Sequence, residues 1–343
     1  MPKLNTELIL KSACASEITS IDSIQSLWSG YGEILRVHLK GGDYPSVVVK
    51  HIQLPEAVAH PRGWNTTLSH QRKLKSYQVE SAWYQQYAMR CDSDCSVPQC
   101  LAVNAKTDGD SVIVLTDLAD AGFTELKTSI DVDMEGVKAC IRWLAHFHAT
   151  FLGETLAGLG LAPAGLWQYG AYWHLDTRPD ELNALTDKRL KQAAPYIDLA
   201  LRQAKYQTLI HGDAKLANFC FSTSGFRPEG RHVAGVDFQY PGGGVGVQDL
   251  AYFLGSCLQE SQLESLTDEL LDYYFQILRL AVNNKHPQVN GTALEAEWRS
   301  LYDIAWADFQ RFLQGWSPSH WKLNGYSDRL TQQVLARVLD SIV

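Results

Sequence analysis

An aspartate, a lysine two places on and an asparagine five places on stand together in His211, Gly212, Asp213, Ala214, Lys215, Leu216, Ala217, Asn218. A second aspartate closes the stretch Val236, Asp237, Phe238, Gln239. Between them lie two short apolar runs, 219–221 and 233–236, separated by a turn rich in Ser, Gly and Pro. Two short strands around such a turn read as a β-hairpin. The hairpin would return Asp237 to the side of Asn218, so that an amide and two carboxylates converge with a lysine nearby. Hard oxygen donors suit magnesium, which takes one or two carboxylates and leaves its other positions to water and phosphate. The chemistry to which these residue types point is therefore done on a phosphate.

The elements that must position this group begin upstream. Residues 34–40 alternate with period two, a turn follows at Gly41, Gly42, Asp43, and residues 47–52 form a β-branched run. Strand, glycine loop, strand, turn, strand is the order of a sheet that covers a nucleotide. Gly30 and Gly32 in the first loop would let the backbone approach phosphates, although the fuller G-x-G-x-x-G is absent. Lys50 closes its strand in the position of a phosphate-gripping lysine. Glu80 shares an apolar helical stripe with Tyr77 and Tyr84. A carboxylate there needs a buried partner, and Lys50 is the candidate. Between them, residues 53–75 read as a polar, basic loop containing His60, Arg62, His70, Arg72 and Lys73, either a flap over phosphates or a solvated insertion. Residues 97–103 and 111–115 flank an Asp-Gly turn and read as strands four and five.

From Met134 the period changes to that of a helix, with Val137, Ile141, Leu144, His148 and Phe151 on one face. His148 in that stripe reads as a satisfied core histidine. A glycine-rich loop spans 158–170. The stretch Tyr172, Trp173, His174, Leu175, Asp176 that follows reads as a lining for an acceptor, and 180–206 as helical. Only nine residues, mostly Gly and Val, separate Gln239 from Asp249, which stands where it would cap the next helix. Near the C-terminus Leu294, Trp298, Leu301, Ala305, Phe309, Phe312 and Trp316 recur at helix spacing, followed by Trp321 and Tyr326. The stripe reads as core, with an aromatic cage for a cation as the alternative.

The whole chain narrows the classes. With 343 residues, 45 % apolar and 20 % charged, it is globular and long enough for two lobes. A net charge of −8 and a pI near 5.8 argue against a binder of nucleic-acid backbones and fit a cationic acceptor. The apolar run near the N-terminus stops at Lys11, too short for a signal peptide, and no stretch reaches membrane-span length, so a cytoplasmic protein is expected. Seven scattered cysteines read as reduced thiols. Cys91, Cys95 and Cys100 lack the spacing and fourth ligand of a zinc knuckle.

The D-x-x-x-x-N of Asp213 to Asn218, followed by Asp237, matches the phosphoryl-transfer pattern, with His-Gly-Asp for H-R-D and Asp-Phe-Gln for D-F-G. This variant resembles the aminoglycoside phosphotransferase and choline kinase superfamily, and more narrowly its ecdysteroid-kinase-like branch with bacterial phosphotransferase relatives. The resemblance runs from about residue 20 to 260. It implies an α+β, bilobal protein-kinase-like fold: an N-lobe, 1–116, with an antiparallel sheet plus helix, and a mostly helical C-lobe, 117–343. It implies an ATP- and Mg2+-dependent kinase acting on a hydroxyl of a small-molecule acceptor (an amino alcohol, a sugar or antibiotic, or a steroid-like alcohol), with no nucleic acid or membrane as partner. In that frame Asp213 is the base, Lys215 reaches the γ-phosphate, and Asn218 and Asp237 hold magnesium. Lys50, braced by Glu80, fixes the α- and β-phosphates, and the hinge at Leu115 to Asp117 pairs with adenine. His211 holds the loop, and Asp249 resembles the aspartate that braces it. The missing A-P-E motif and the short segment after Asp237 argue against peptide substrates. A catalytically silent nucleotide-binding or scaffold protein of the same fold, and a hydrolytic magnesium enzyme, are the other classes to separate.

Overall fold

The computed structural model describes residues 4–27, 30–53, 67–105, 111–153, 162–223 and 230–340. Helix α1 (Thr6–Ser12) starts where Asn5 accepts a hydrogen bond from the Leu8 amide, 3.1 Å. It lays Ile9 and Ala13 on a sheet face made by Val37, Val47, Val49 and Val114. The alternation read in the sequence appears as β1 (Glu17–Ser26), β2 (Gly32–Lys40) and β3 (Ser46–Ile52), then β4 (Cys100–Ala105) and β5 (Ser111–Thr116). All pair antiparallel in the order β1-β2-β3-β5-β4. Lys50 lies between Ile34 and Ile113 in the middle of that sheet. Between β3 and β4 runs α2 (Thr67–Gln86). His70 to Lys73 thus belong to a helix and not to a loop, because α2 begins well before its apolar stripe does. Residues 54–66 and the Asp-Gly turn at 106–110 lie outside the described residues.

The sheet ends at Thr116. Overlapping turns at 117–122 lead to β6 (Phe123–Leu126), then α3 (Met134–Thr150), which Asp133 caps by accepting from Gly136 N at 2.9 Å. Next come β7 (Trp167–Tyr169), α4 (Pro179–Ala184) and α5 (Lys188–Arg202). The helix read over 180–206 is therefore two: Leu185 is extended, and Asp187 caps α5 through Leu190 N. After β8 (Thr208–Ile210), β9 (Phe219–Ser222), β10 (Val233–Gly235) and β11 (Gly242–Gly244), the chain closes with α6 (Gly246–Cys257), α7 (Glu260–Lys285), α8 (Gly291–Trp316) and α9 (Gly325–Asp340). Strands β6, β9 and β10 form one small sheet, and β11 sits between β7 and β8 in another. The glycine run of β11 is buried, and a Cβ on Gly242 would stand 2.5 Å from Trp167 O. Glycine is what lets this strand pack there.

Helices α3, α6, α7 and α8 enclose the main core. One aromatic cluster reaches across both lobes. Trp83 of α2 stacks on Phe238 at 4.3 Å between ring centres and touches Phe147 and Phe151. Deleting such a buried ring costs about 3–5 kcal/mol, so this cluster ties the position of α2 to that of Asp237. Among the described residues no helix is long and apolar enough to cross a membrane.

Candidate active site

Strand β8 delivers the loop that begins at His211. Gly212 has φ +76°, and a Cβ there would lie 2.1 Å from Tyr240 O and 2.6 Å from Ala171 N. Backbone on both sides leaves room for glycine alone, which is why Gly stands between His and Asp. Asp249, fully buried, accepts from His211 N at 2.6 Å and Gly212 N at 2.9 Å. His148 Nε2 meets the same carboxylate at 3.1 Å, and its Nδ1 meets the Tyr274 hydroxyl at 2.8 Å. His148 is thus a satisfied core histidine. Asp249 braces the loop as the resemblance implied, but it does not cap α6, which starts at Gly246. His211 Nδ1 accepts from Asp213 N, so Nε2 carries the proton donated to Val236 O at 3.0 Å. Its two ring nitrogens are spent on holding the loop against the strand that precedes Asp237.

Within the loop, Tyr252 donates to Asp213 Oδ1 at 2.8 Å and Lys215 Nζ lies 3.0 Å from Oδ2. Asp213 raises the pKa of Lys215 more than burial lowers it, and Asp237 adds to the rise. Asn218 Nδ2 donates to Asp213 O at 2.8 Å. The antiparallel β9–β10 pair matches Gly235 with Phe219, and Val236 N donates to Asn218 O at 3.0 Å. The hairpin therefore places Asp237 directly after the residue bonded to Asn218. Its distal turn, 224–229, lies outside the described residues.

Lys50, buried in the sheet, reaches Glu80 at 2.6 Å and Asp237 Oδ1 at 3.1 Å. Burial opposes the ammonium charge, but the two carboxylates outweigh it and push its pKa above the ordinary lysine value. Burial pushes the Glu80 carboxyl up, against the pull of Lys50. For Asp237 burial acts the same way, yet Lys50, Lys215 and Lys73 together hold its pKa well below the usual carboxylate range. Asp237 also has φ +66°, in the left-handed region that few non-glycine residues adopt.

The sequence reading did not single out Lys73 as a site residue. Its Nζ is 3.1 Å from Gln239 Oε1 and 4.6 Å from the centre of the Tyr77 ring. Burial first, and Lys50 beside it, bring its pKa down to about 8. The spacing Lys73, Tyr77, Glu80 is i, i+4, i+7, so extending the Glu80 stripe back by two turns would have found it. Tyr252 lacked even that signal, since its partner is 39 positions away.

The donor set fits a magnesium ion. Asp237 is an ionised carboxylate with its side chain one-third exposed, and Asn218, whose amide nitrogen is spent on Asp213, retains its amide oxygen as an acceptor. Both are hard ligands.

The glycine loop stands on the same strand pair as Lys50, with Gly32 opposite Ile52 and Ile34 opposite Lys50. Gly30 (φ +77°) has open space where a Cβ would be, whereas a Cβ on Gly32 (φ +121°) would meet His51 O at 2.0 Å. Close strand packing alone thus accounts for glycine at 32; Trp28 and Ser29 lie outside the described residues. Leu115 is buried in the sheet. The Asp117 carboxylate turns away to Arg36, to Ser46 at 2.9 Å and to Ala119 N at 2.9 Å. Burial would raise its pKa, but these bonds lower it. Of the acceptor stretch, Tyr172 packs on Tyr252, while Trp173 bonds Asp308 in the interior and His174 pairs with Asp198.

A five-stranded antiparallel sheet with its helices, set against a mostly helical lobe, is the protein-kinase-like fold. The model of the ecdysteroid kinase-like family matches residues 71–152 and 168–285, more than half of the chain, and the chain belongs to that family. Among solved structures, an amicoumacin kinase in complex with AMP-PNP, Ca2+ and Ami is 12% identical, with TM-score 0.51 over 99% of this chain and 94% of that one. A thermostable mutant of an aminoglycoside phosphotransferase in ternary complex with ADP and hygromycin B is 8% identical, with TM-score 0.50 over 96% of this chain and 97% of that one. A microcompartment-associated aminopropanol kinase is 15% identical, with TM-score 0.48 over 98% and 97%. At these identities the likeness is one of fold. No curated protein matches the chain.

Proposed function

We propose that this protein transfers the γ-phosphoryl group of ATP, with Mg2+, to a hydroxyl of a small-molecule alcohol. The observation that carries the reading is the meeting of Asp213 and Asp237 with three lysines, Lys50, Lys73 and Lys215. Phosphoryl transfer asks for little else: a group to take the acceptor's proton, and fixed positive charge around the phosphates.

The acceptor oxygen attacks the γ-phosphorus, the bond to the β,γ-bridging oxygen breaks, and ADP leaves with that electron pair. The acceptor's proton passes to Asp213, which Tyr252 and Lys215 hold in place. A well-placed base contributes about 10²–10⁴-fold in rate. Lys50, braced by Glu80, fixes the α- and β-phosphates, and Lys215 and Lys73 set point charges near the transferred group. Asn218 and Asp237 would hold magnesium, which when bound neutralises charge on the β- and γ-phosphate oxygens. The loop of Gly30 and Gly32 covers the phosphates, and backbone from Leu115 to Asp117 pairs with adenine.

The test is transfer of label from γ-labelled ATP and Mg2+ to a panel of amino, sugar and steroid-like alcohols. Asp213→Ala should lose turnover by about 10²-fold or more while keeping nucleotide binding. Asp237→Ala should lose magnesium-dependent nucleotide binding itself. Parent rates in both variants, or no labelled product from any alcohol, would overturn the reading.

A further inference from the structure

The C-terminal part of α8 leaves the main core and packs on Tyr252 and Tyr172. Phe309 meets Tyr252 at 4.9 Å between ring centres, and Phe312 meets Tyr172 at 5.2 Å. Because Tyr252 donates to Asp213, this aromatic wall begins at the group assigned as the base. The connection from α8 to α9 lays Lys322 onto the wall. Its Nζ lies 4.8 Å from the centre of Tyr252, 5.6 Å from Phe309 and 5.8 Å from Trp321. Lys322 is half-buried and Trp321 beside it is 49% exposed, so the wall reaches the surface at this end.

Three aromatic faces around a cation are how proteins bind a foreign ammonium. Here the chain supplies the cation itself. At the other end of the wall the Arg178 guanidinium lies 5.4 Å from Tyr172 and 5.2 Å from Phe312, with Glu181 at 3.1 Å. Lys215 adds a further positive charge at Asp213. The charge of Lys50 is met by Glu80 and Asp237, but that of Lys322 is met by rings. The acid acting on it most strongly is Asp213, already engaged by Tyr252 and Lys215. Burial, only partly offset by Asp213, lowers the Lys322 pKa to about 8, as expected of a charge short of counter-ions.

We propose that Lys322 sets the class of acceptor: it receives an acidic group, such as a carboxylate, of an alcohol whose apolar body lies on the wall of Tyr252, Phe309 and Trp321, and it turns away amino alcohols and other cations. The proposal rests on the small-molecule kinase reading above. It runs against the cationic acceptor suggested by the chain's net charge, because charge at this wall is opposite to charge overall.

Three probes share one ring and one hydroxyl and differ only in charge: para-hydroxymethylbenzoate, para-hydroxymethylbenzamide and para-hydroxymethylbenzylamine. Binding to the full chain is measured calorimetrically with AMP-PNP and Mg2+ present, and label transfer from ATP is measured alongside. The benzoate should bind about tenfold or more tightly than the benzylamine, with the amide between. Lys322→Met and Lys322→Gln should bring that ratio to near one, with nucleotide binding unchanged. Equal or better binding of the benzylamine to the parent protein, absence of benzoate binding at millimolar concentration, or a ratio that survives both substitutions would overturn the proposal. Charge preference without label transfer to any alcohol would instead remove the kinase reading and leave the charge assignment standing.

Discussion

Lys322 and Lys73 are half-buried ammonium groups whose desolvation is not fully offset, so each stands at the site at the expense of stability. For Lys322 the folded pKa is about 8 against an ordinary 10.5. Below pH 8 both folded and unfolded chains bind the proton, and the cost of the buried charge is fully present. Between pH 8 and 10.5 the unfolded chain still binds it while the folded chain releases it, so the cost fades as pH rises. Lys322→Met should therefore melt higher than the parent protein at pH 7, by about 2–5 °C for a chain of this size. The difference should shrink through pH 8 to 10 in paired thermal melts. A variant that melts lower at pH 7 would mean that the ring contacts of Lys322 outweigh its desolvation. Lys73→Met has a different signature, because Lys73 stands with Asp237: turnover should fall, by about 10-fold or more if it neutralises the transferred phosphoryl group, with acceptor KM little changed.

The loop of Asp213 owes its shape to α6 and α3 more than to its own sequence. Asp249 satisfies two backbone amides of the loop and one nitrogen of His148, all without exposure to water. Asp249→Ala leaves these donors buried and unpaired, a loss of about 3–5 kcal/mol. Asp249→Asn keeps one acceptor and should lose less, and chemical denaturation of the two variants orders them. If Asp249→Ala unfolds at the parent midpoint, the brace is not structural. The same residues show what the chain discloses by itself. The β9–β10 hairpin and the Lys50–Glu80 pair were legible, because period-two and i, i+3, i+4 patterns are local signals. The start of α6 was not: the glycines of β11 run straight into Gly246, so the first visible helical residue was Asp249, three places late. Its bond partners lie 37 and 38 positions away, beyond any local pattern. Lys73 was hidden in a different way, since a basic stretch ahead of an apolar stripe looks like solvated loop until the helix is seen to begin at Thr67. Asp117 looked like a hinge by its place after β5, and only the fold shows its carboxylate drawn to Arg36 and Ser46.

Across the whole molecule the charge is divided unevenly. The chain carries −8 overall, yet Lys50, Lys73, Lys215 and Lys322 gather around Asp213 and Asp237. A surface negative on balance repels anions, while this interior cluster attracts them, so a nucleotide gains most of its electrostatic energy only once inside. The cluster also draws on both lobes: Lys50 and Lys73 come from the sheet lobe, and Asp213, Lys215 and Asp237 from the helical one. A polyanion bridging them adds to the contacts the lobes already make, among them the ring stack of Trp83 on Phe238 and the Lys50–Asp237 and Arg36–Asp117 pairs. Binding should then appear as stability of the entire chain. At 100 times Kd, ATP with Mg2+ should stabilise the folded state by about 2.7 kcal/mol, a rise in Tm of roughly 5–10 °C for domains of 150–250 residues. Removing the metal with EDTA should abolish most of the rise. Asp213→Ala should retain it, and Asp237→Ala should not, because the second aspartate touches the sheet-lobe lysine and the first does not. A shift of equal size in both variants would mean that the nucleotide is held by the sheet lobe alone, with Asp237 outside its reach.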